Sequence, residues 1–416
     1  MPPLATIDLV SLSLSLLALV LAVLYRDRLT LILSYNLRSL LVRWQVTLLA
    51  MVGIALVVAV FGVLMSMSEG FATALRATGS DRNAMVVQRG SASELTSWVP
   101  QDQRALIAVH DLVARGTDGQ PLVSHEIVVV TNKPKRDGTP TNVNLRGVTP
   151  RAFEVRGGLA ITKGRRFTPG LDEIIVGERI AERVPGLELG QKVRLQKKDW
   201  TVVGHFLSQG GAFESEIWGD HDVFSQEFQR QGGSNALCVR LVRPDAVAGL
   251  DGWIRLQPQM QLQALSERKY YEDQAGPLSK TLGVVATAVA FIMGIGAVFG
   301  AMNTMYAIVA ARTREVGTLR ALGFPRRVVL LSFVSEAVFL ALVGGLLGCL
   351  LALPMNGFST GTGQTQSFSE IAFAFRVTPA ILQGCLVFAV AMGFLGGLLP
   401  AWRAARLPIT TALRES

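Results

Sequence analysis

Five stretches of the chain are apolar enough to cross a membrane, and one long polar stretch separates the first two from the last three. Leu9 to Tyr25, Val46 to Met67, Thr281 to Ala310, Val328 to Leu353 and Ala380 to Leu399 approach or exceed the roughly 20 residues a helix needs to span hydrocarbon. The first is interrupted only by Ser11, Ser13 and Ser15. MPPLATID precedes it and Tyr25-Arg26-Asp27-Arg28 follows, where a signal peptide would have a basic start and a small-residue cleavage site, so an uncleaved helix with its N-terminus outside is expected. From Asp27 to Trp44, Leu29, Ile32, Leu33, Leu37, Leu40 and Leu41 share one helical face beside Arg26, Arg28, Arg38 and Arg43. Two readings stand there: an amphipathic helix on the membrane surface, or an extension of the next helix into the cytosol.

Residues 69–280 read differently. Short Val- and Ile-rich runs bounded by Gly, Pro, Asn or Asp predict strands at Ala84 to Gln88, Ile127 to Val130, Val143 to Val148, Glu173 to Val176, Lys192 to Leu195, Thr201 to Phe206 and Leu237 to Leu241. Lys197, Lys198 and Asp199 predict a hairpin turn. Helices are predicted at Gln101 to Val109, Glu178 to Val184, Asp222 to Arg230 and Ser266 to Lys280. The expected fold is a membrane α-helical protein of five spans with an α+β domain outside the cytoplasm.

Charge fixes the sides. The chain is 50% hydrophobic and only 17% charged, with a net charge of +9. Arginines gather at 26–43, 312–327 and 403–414, and five spans put all three groups on one side, which the positive-inside rule makes the cytoplasm. That placement argues against nucleic acid as the reason for the positive charge. Residues 69–280 then lie outside, as does the loop Met355 to Val377 with its single basic residue, Arg376. Cys349 and Cys385 sit in apolar runs and Cys238 in the polar domain, so no disulfide framework is expected there.

Few motifs announce chemistry. Gly294, Gly296 and Gly300 mimic a nucleotide fingerprint but follow no strand and turn, and no GxxxxGK[ST] occurs in the chain. The pairs Gly296 and Gly300, Gly344 and Gly348, and Gly393 and Gly397 instead predict close helix approach, within the protomer or a dimer. His110, His125, His205 and His221 have no ligand-like spacing, and Asp220, His221 and Asp222 are expected in an exposed loop. Neither a catalytic site, a cofactor nor a metal is expected. Glu336 is an ionisable group inside an apolar run and calls for a partner, for which an arginine and a role in gating are both considered. Between two spans, NTMYAIVAARTREVGTLRALG (Asn303 to Gly323) ends as a short basic helix carrying Arg312, Arg314, Glu315 and Arg320. With Arg326 and Arg327, five arginines there exceed what anchoring needs. Val316, Leu319 and Leu322 are expected to form an apolar docking face, closed by Gly323.

NTMYAIVAARTREVGTLRALGFPRR, SEAVFLALVGGLLG and PAWRAARLPITTALRES resemble the core of MacB/FtsX-type ABC transporter permeases, the lipoprotein-releasing subunits included. NLRSLLVRWQVTLLAMVGIALVVAVFGVL is similar to that family's amphipathic lead-in and first helix. The resemblance implies a bacterial inner-membrane protein divided as an extra N-terminal helix (1–25), lead-in and helix (26–68), a periplasmic MacB-like core domain (69–280), three FtsX-like permease helices (281–402) and a cytoplasmic tail (403–416). It also implies a homodimer or pseudodimer among membrane lipids. A separate cytoplasmic ABC ATPase, binding the ATP and Mg, would dock on Arg312 to Gly323. The chain would relay force to the outside for export of a hydrophobic or envelope substrate, and a periplasmic adaptor would be compatible with it. Two other readings are weighed: a non-transporting regulator of an envelope enzyme, and a membrane enzyme using His221 and Asp222.

Overall fold

The computed structural model describes residues 44–363 and 370–408. The predicted helix Leu9 to Tyr25, the lead-in up to residue 43 and the tail beyond residue 408 lie outside the described residues. In chain order the elements are α1 (Trp44–Thr78), β1 (Asn83–Gln88), β2 (Val99–Pro100), α2 (Gln101–Ala108), β3 (Val123–Pro134), β4 (Pro140–Val148), α3 (Ala152–Val155), β5 (Ala160–Gly164), β6 (Glu173–Gly177), α4 (Glu178–Arg183), β7 (Lys192–Leu195), β8 (Lys198–Leu207), β9 (Glu216–Asp220), α5 (His221–Glu227), β10 (Gly233–Ser234), β11 (Ala236–Arg240), α6 (Val247–Arg255), β12 (Leu262–Ser266), α7 (Glu267–Ala311), α8 (Thr313–Ala321), α9 (Arg326–Ala352), β13 (Ser359–Gly363), β14 (Glu370–Ala374) and α10 (Pro379–Arg406).

Among the described residues, four helices are long and apolar enough to span a membrane: Thr47–Thr78, Gly276–Ala311, Arg326–Met355 and Pro379–Arg406. Their bounds correct the sequence reading in three places. The helix expected at Ser266 to Lys280 and the span expected from Thr281 are one 45-residue helix, because nothing between them caps an end and Pro277 removes only a single backbone donor. Helix α1 runs on to Thr78, since Phe71, Ala74 and Leu75 are buried in an apolar cluster of the polar domain. The last helix passes through Pro400 to Arg406, so Arg403 and Arg406 are on it and not in a tail.

The chain forms two compact units, one of Met65–Val284 with Met355–Arg376, the other of the remaining helices. The first is built on a ten-stranded sheet of order β12-β1-β11-β3-β4-β9-β6-β8-β5, with β7 paired to β8. Pairing is antiparallel except for β4 with β9 and β6 with β8. The mixed sheet with short helices is the predicted α+β domain. Period-two alternation divides β4: Val143 and Leu145 enter an apolar cluster with Trp200 and Phe224, whereas Val148 enters the cluster of Phe71, Phe213 and Trp218.

The loop Met355 to Val377 holds an element the sequence reading left as loop. Strands β13 and β14 pair antiparallel, and this hairpin belongs to the same unit as the sheet. Phe373 is fully buried with its ring 5.5 Å from that of Phe71, edge to face. The Ala372 amide donates to Ser215 Oγ (2.9 Å), and Arg179 Nη1 donates to the Ala372 carbonyl (2.9 Å). Gly70 permits the approach: a Cβ there would stand 2.1 Å from the Ala374 carbonyl oxygen.

Candidate coupling site

In the membrane unit, Met305, Ile308, Val309, Val316, Val329, Phe333, Val334, Ala337, Ala401, Ala404 and Ala405 form one buried cluster. It joins the end of α7, the short helix α8, the start of α9 and the end of α10. These are the ends that carry Arg312, Arg314, Arg320, Arg326, Arg327, Arg403 and Arg406, so this is the cytoplasmic end of the bundle. Helix α8 is closed by Gly323, whose φ of +90° suits glycine, and Pro325 then caps α9.

The three apolar residues expected to share a docking face do not share one. Val316 is 3% exposed and faces the cluster, while Leu319 is 38% and Leu322 72% exposed. The reason is helical geometry: steps of three residues at about 100° each fall about 60° short of a full turn. Val316 and Leu322 therefore point in well-separated directions. The outward face consists of Arg314, Glu315, Leu319 and Leu322, with Arg320 half-buried. Arg312, expected on the docking surface, turns inward. Its Nη1 donates to Glu336 Oε2 (2.9 Å), its Nε to Glu315 Oε2 (2.9 Å), and its guanidinium lies 5.2 Å from the Phe333 ring centre.

Four of the six singled-out glycines lie at helix contacts. A Cβ at Gly344 or Gly348 would meet the Met51 or Ala55 carbonyl of α1, at 2.9 and 2.6 Å. One at Gly393 or Gly397 would stand 2.4 Å from the methyl of Ala341 or Ala337 on α9. Gly296 and Gly300 differ, with no heavy atom among the described residues within 4 Å of a Cβ placed there. Around them Phe291, Ile292, Ile295 and Phe299 are also exposed.

In the polar unit, the sequence reading missed a buried ionic core. Arg146, 1% exposed, reaches Glu126 (2.6 Å), Glu94 (2.7 Å) and Glu216 (2.7 Å). Arg156 pairs with Glu126 (2.8 Å) and with Glu267 in the first turn of α7, and lies 4.3 Å over the Phe213 ring. Asn83 Nδ2 donates to Glu267 (2.8 Å), and Trp218 Nε1 to Glu216 (2.8 Å). Burial pushes the Glu94 carboxyl up against the pull of Arg146. Burial acts on Glu126 too, but Arg156 and then Arg146 more than offset it and hold that carboxyl below the usual range. The signal was present: Arg146 shares a strand face with Val148, where a charge needs a partner.

Asp220, His221 and Asp222 are not an exposed loop. Asp220 caps α5, accepting from the Asp222 and Val223 amides, and both Asp220 and His221 are buried. His221 Nδ1 is 2.8 Å from Asp222 Oδ1 and its Nε2 3.0 Å from Ser234 Oγ. That order resembles an acid, base and hydroxyl set, but Ser234 is fully buried and its oxygen accepts from Arg104 Nη1 (2.7 Å). The set therefore clasps α5, α2 and β10 and leaves no approach to the hydroxyl. His125 meets His221 edge to face with ring centres 6.0 Å apart, whereas His110 lies against Trp253 at a tilt and His205 bonds the Leu187 carbonyl, so only two of the four histidines are brought together.

Four membrane helices with a basic helix at their cytoplasmic end and a mixed-sheet domain outside define a multi-pass permease. Residues 47–268 match the MacB-like periplasmic core domain and residues 287–409 the FtsX-like permease C-terminal domain, and the chain belongs to the MacB/FtsX-type family of ABC transporter permeases. It is 26% identical over 412 residues to the uncharacterized ABC transporter permease YvrN of Bacillus subtilis (strain 168), covering 92% of this chain and 97% of that protein. It is 25% identical over 398 residues to the macrolide export ATP-binding/permease protein MacB of Brucella abortus (strain 2308), covering 91% of this chain and 59% of the relative. Identity to the pyoverdine export ATP-binding/permease protein PvdT of Pseudomonas entomophila (strain L48) is 26% over 404 residues, covering 88% and 57%. The chain thus spans less than two thirds of these two ATP-binding relatives. Among solved structures it is similar to the extracellular domain of the noncanonic ABC-type transporter YknZ from Gram-positive bacteria (TM-score 0.35, 17% identity, 44% of this chain and 99% of that one). It is also similar to the periplasmic region of MacB from Actinobacillus actinomycetemcomitans (TM-score 0.35, 12% identity, 47% and 92%).

Proposed function

We propose that this permease is the membrane subunit of an exporter whose ATP is hydrolysed by a separate cytoplasmic ABC ATPase docking on α8. The observation that carries the reading is the outward face of that helix. Leu319 and Leu322 stand exposed beside Arg314, Glu315 and Arg320 at the cytoplasmic end of a bundle otherwise closed by its own buried cluster. An apolar pair framed by charges is the kind of surface a soluble partner covers. The chain itself hydrolyses nothing in this reading; ATP and Mg belong to the partner. Its outer domain receives the motion and drives extrusion of a hydrophobic or envelope substrate, in a homodimer or pseudodimer that accommodates a periplasmic adaptor.

The test is reconstitution of the full chain with an ABC ATPase that co-purifies with it. Leu322→Asp and Arg320→Glu are expected to abolish both complex formation and permease-dependent ATPase stimulation, while insertion and thermal unfolding stay as in the parent. Retention of both activities by the two variants would remove α8 as the contact.

A further inference from the structure

The joint between α7 and α8 is a single residue. Helix α7 ends at Ala311 and α8 begins at Thr313, and Arg312 between them has φ −115° and ψ 14°. Its amide donates to the Val309 carbonyl (3.1 Å) and its own carbonyl accepts from Val316 N (3.0 Å). The backbone is thus satisfied through the break, but one non-helical residue leaves the direction of the following helix to whatever holds the joint.

Val316 packs beside Val329 and Phe333 in the shared apolar cluster, and the Arg312 side chain adds a directional tie to α9. Its guanidinium forks between Glu336 on α9 and Glu315 on α8 and covers Phe333, also on α9. The Glu336 side chain is 1% exposed and that of Arg312 8%, whereas Glu315 is 48% exposed. Glu336 lies ten residues beyond the start of α9, about 15 Å along the helix. A carboxylate so placed is tolerated only with its cation, and the cation only with its carboxylate. Charge pairing here therefore constrains direction as well as position, since a planar fork fixes the orientation of both acceptors.

We propose that Arg312 and Glu336 are a positioning pair that makes α8 and α9 move as one body, so that load on the outer face of α8 passes into α9 instead of being absorbed at the joint. The link to ATP rests on α8 being the ATPase contact; the positioning does not.

The test uses the full chain in lipid nanodiscs, with Cys238, Cys349 and Cys385 replaced and nitroxides placed in pairs for pulsed distance measurement. One pair, Thr318→Cys with Leu346→Cys, reports α8 against α9. The other, Leu346→Cys with Leu395→Cys, reports α9 against α10. Glu336→Gln is expected to roughly double the width of the first distance distribution and leave the second unchanged, and Glu336→Asp to recover most of the narrow width. Should Glu336→Gln fail to insert, Arg312→Lys, which keeps the buried charge but loses the fork, is expected to broaden the first pair alone. A first distribution that stays narrow in both variants, or two that broaden equally, overturns the proposal. In the same samples, broadening at α8 with no ATPase bound by the parent chain would discard the functional reading and leave the positioning pair standing.

Discussion

Arg146 Nη1 and Glu126 Oε2 stand 2.6 Å apart where neither side chain reaches water. Around them the buried core holds two guanidiniums, of Arg146 and Arg156, against the carboxyls of Glu94, Glu126, Glu216 and Glu267. Deleting a cation from such a set leaves uncompensated negative charge, which costs about 3–5 kcal/mol, a large share of a domain's stability. Arg146→Ala is expected to lower the unfolding midpoint sharply, read by fluorescence of the buried Trp200 and Trp218. Glu94→Gln should be far milder, because burial already favours the neutral form of that carboxyl. Equal losses in the two variants would refute this division of roles.

Acid should weaken the outer domain in two steps. His125 is pulled down to about 4, first by burial and then by the Arg104 guanidinium; His221, Asp222 and Glu126 also face it. The native state then binds fewer protons than the unfolded state between the ordinary imidazole value of about 6.5 and about 4, so stability falls as pH is lowered through that window. His221, lowered mainly by burial, acts in the same direction. Glu173, held at about 2 chiefly by its hydrogen bonds from Arg165, adds a second loss below the ordinary carboxylate range. His125→Gln should flatten the first step and leave the second, in unfolding midpoints measured across pH. An unchanged profile in that variant would exclude His125 as the source.

The docked hairpin provides a third expectation. Phe373 is fully buried against Phe71, and truncating a buried phenylalanine costs about 3–5 kcal/mol. Ile371 and Ala372 are buried beside Phe373, but among the described residues β13 and β14 form a ladder only with each other, so that loss is expected to release them without unfolding the sheet. Phe373→Ala and Gly70→Val should each raise amide deuterium uptake across residues 359–374 while β1, β3 and β11 remain protected. Uptake confined to the wild-type pattern would show that the hairpin is held elsewhere.

What was legible in the sequence follows from how local each signal is. The spans and central strands were readable because their apolar runs are continuous, so β1, β6 and β7 fall within a residue of expectation. Strands β5, β9 and β12 were missed: AITKG is largely exposed, while EIWGD and LQALS interleave charge or polarity with apolar residues and owe their pairing to neighbours distant in sequence. The basic helix was visible as composition. Its inward and outward faces were not, because Arg312 is recruited inward by Glu336, twenty-four residues away, which no local pattern encodes. Likewise Arg146 finds Glu216 only once β4 lies beside β9.

The glycine pairs separate contacts within one chain from a surface open to a second copy. At Gly393 a side chain would collide with Ala341 and with the Ala337 carbonyl, which is backbone and cannot yield. Gly393→Val is therefore expected to disrupt packing of α9 on α10 and reduce the yield of folded permease. At Gly300 no heavy atom among the described residues is near, so Gly300→Val should leave the folded monomer unaffected. If the exposed stripe of Gly296, Gly300, Phe291 and Phe299 is where a homodimer closes, the same variant should lose self-association in lipid, because valine keeps the backbones apart. Cross-linking of full-length chains through a cysteine at Phe299, with and without Gly300→Val, reads both effects. Undiminished cross-linking in the valine variant would move the dimer contact off α7, and loss of folded protein would show that Gly300 is packed within the protomer after all.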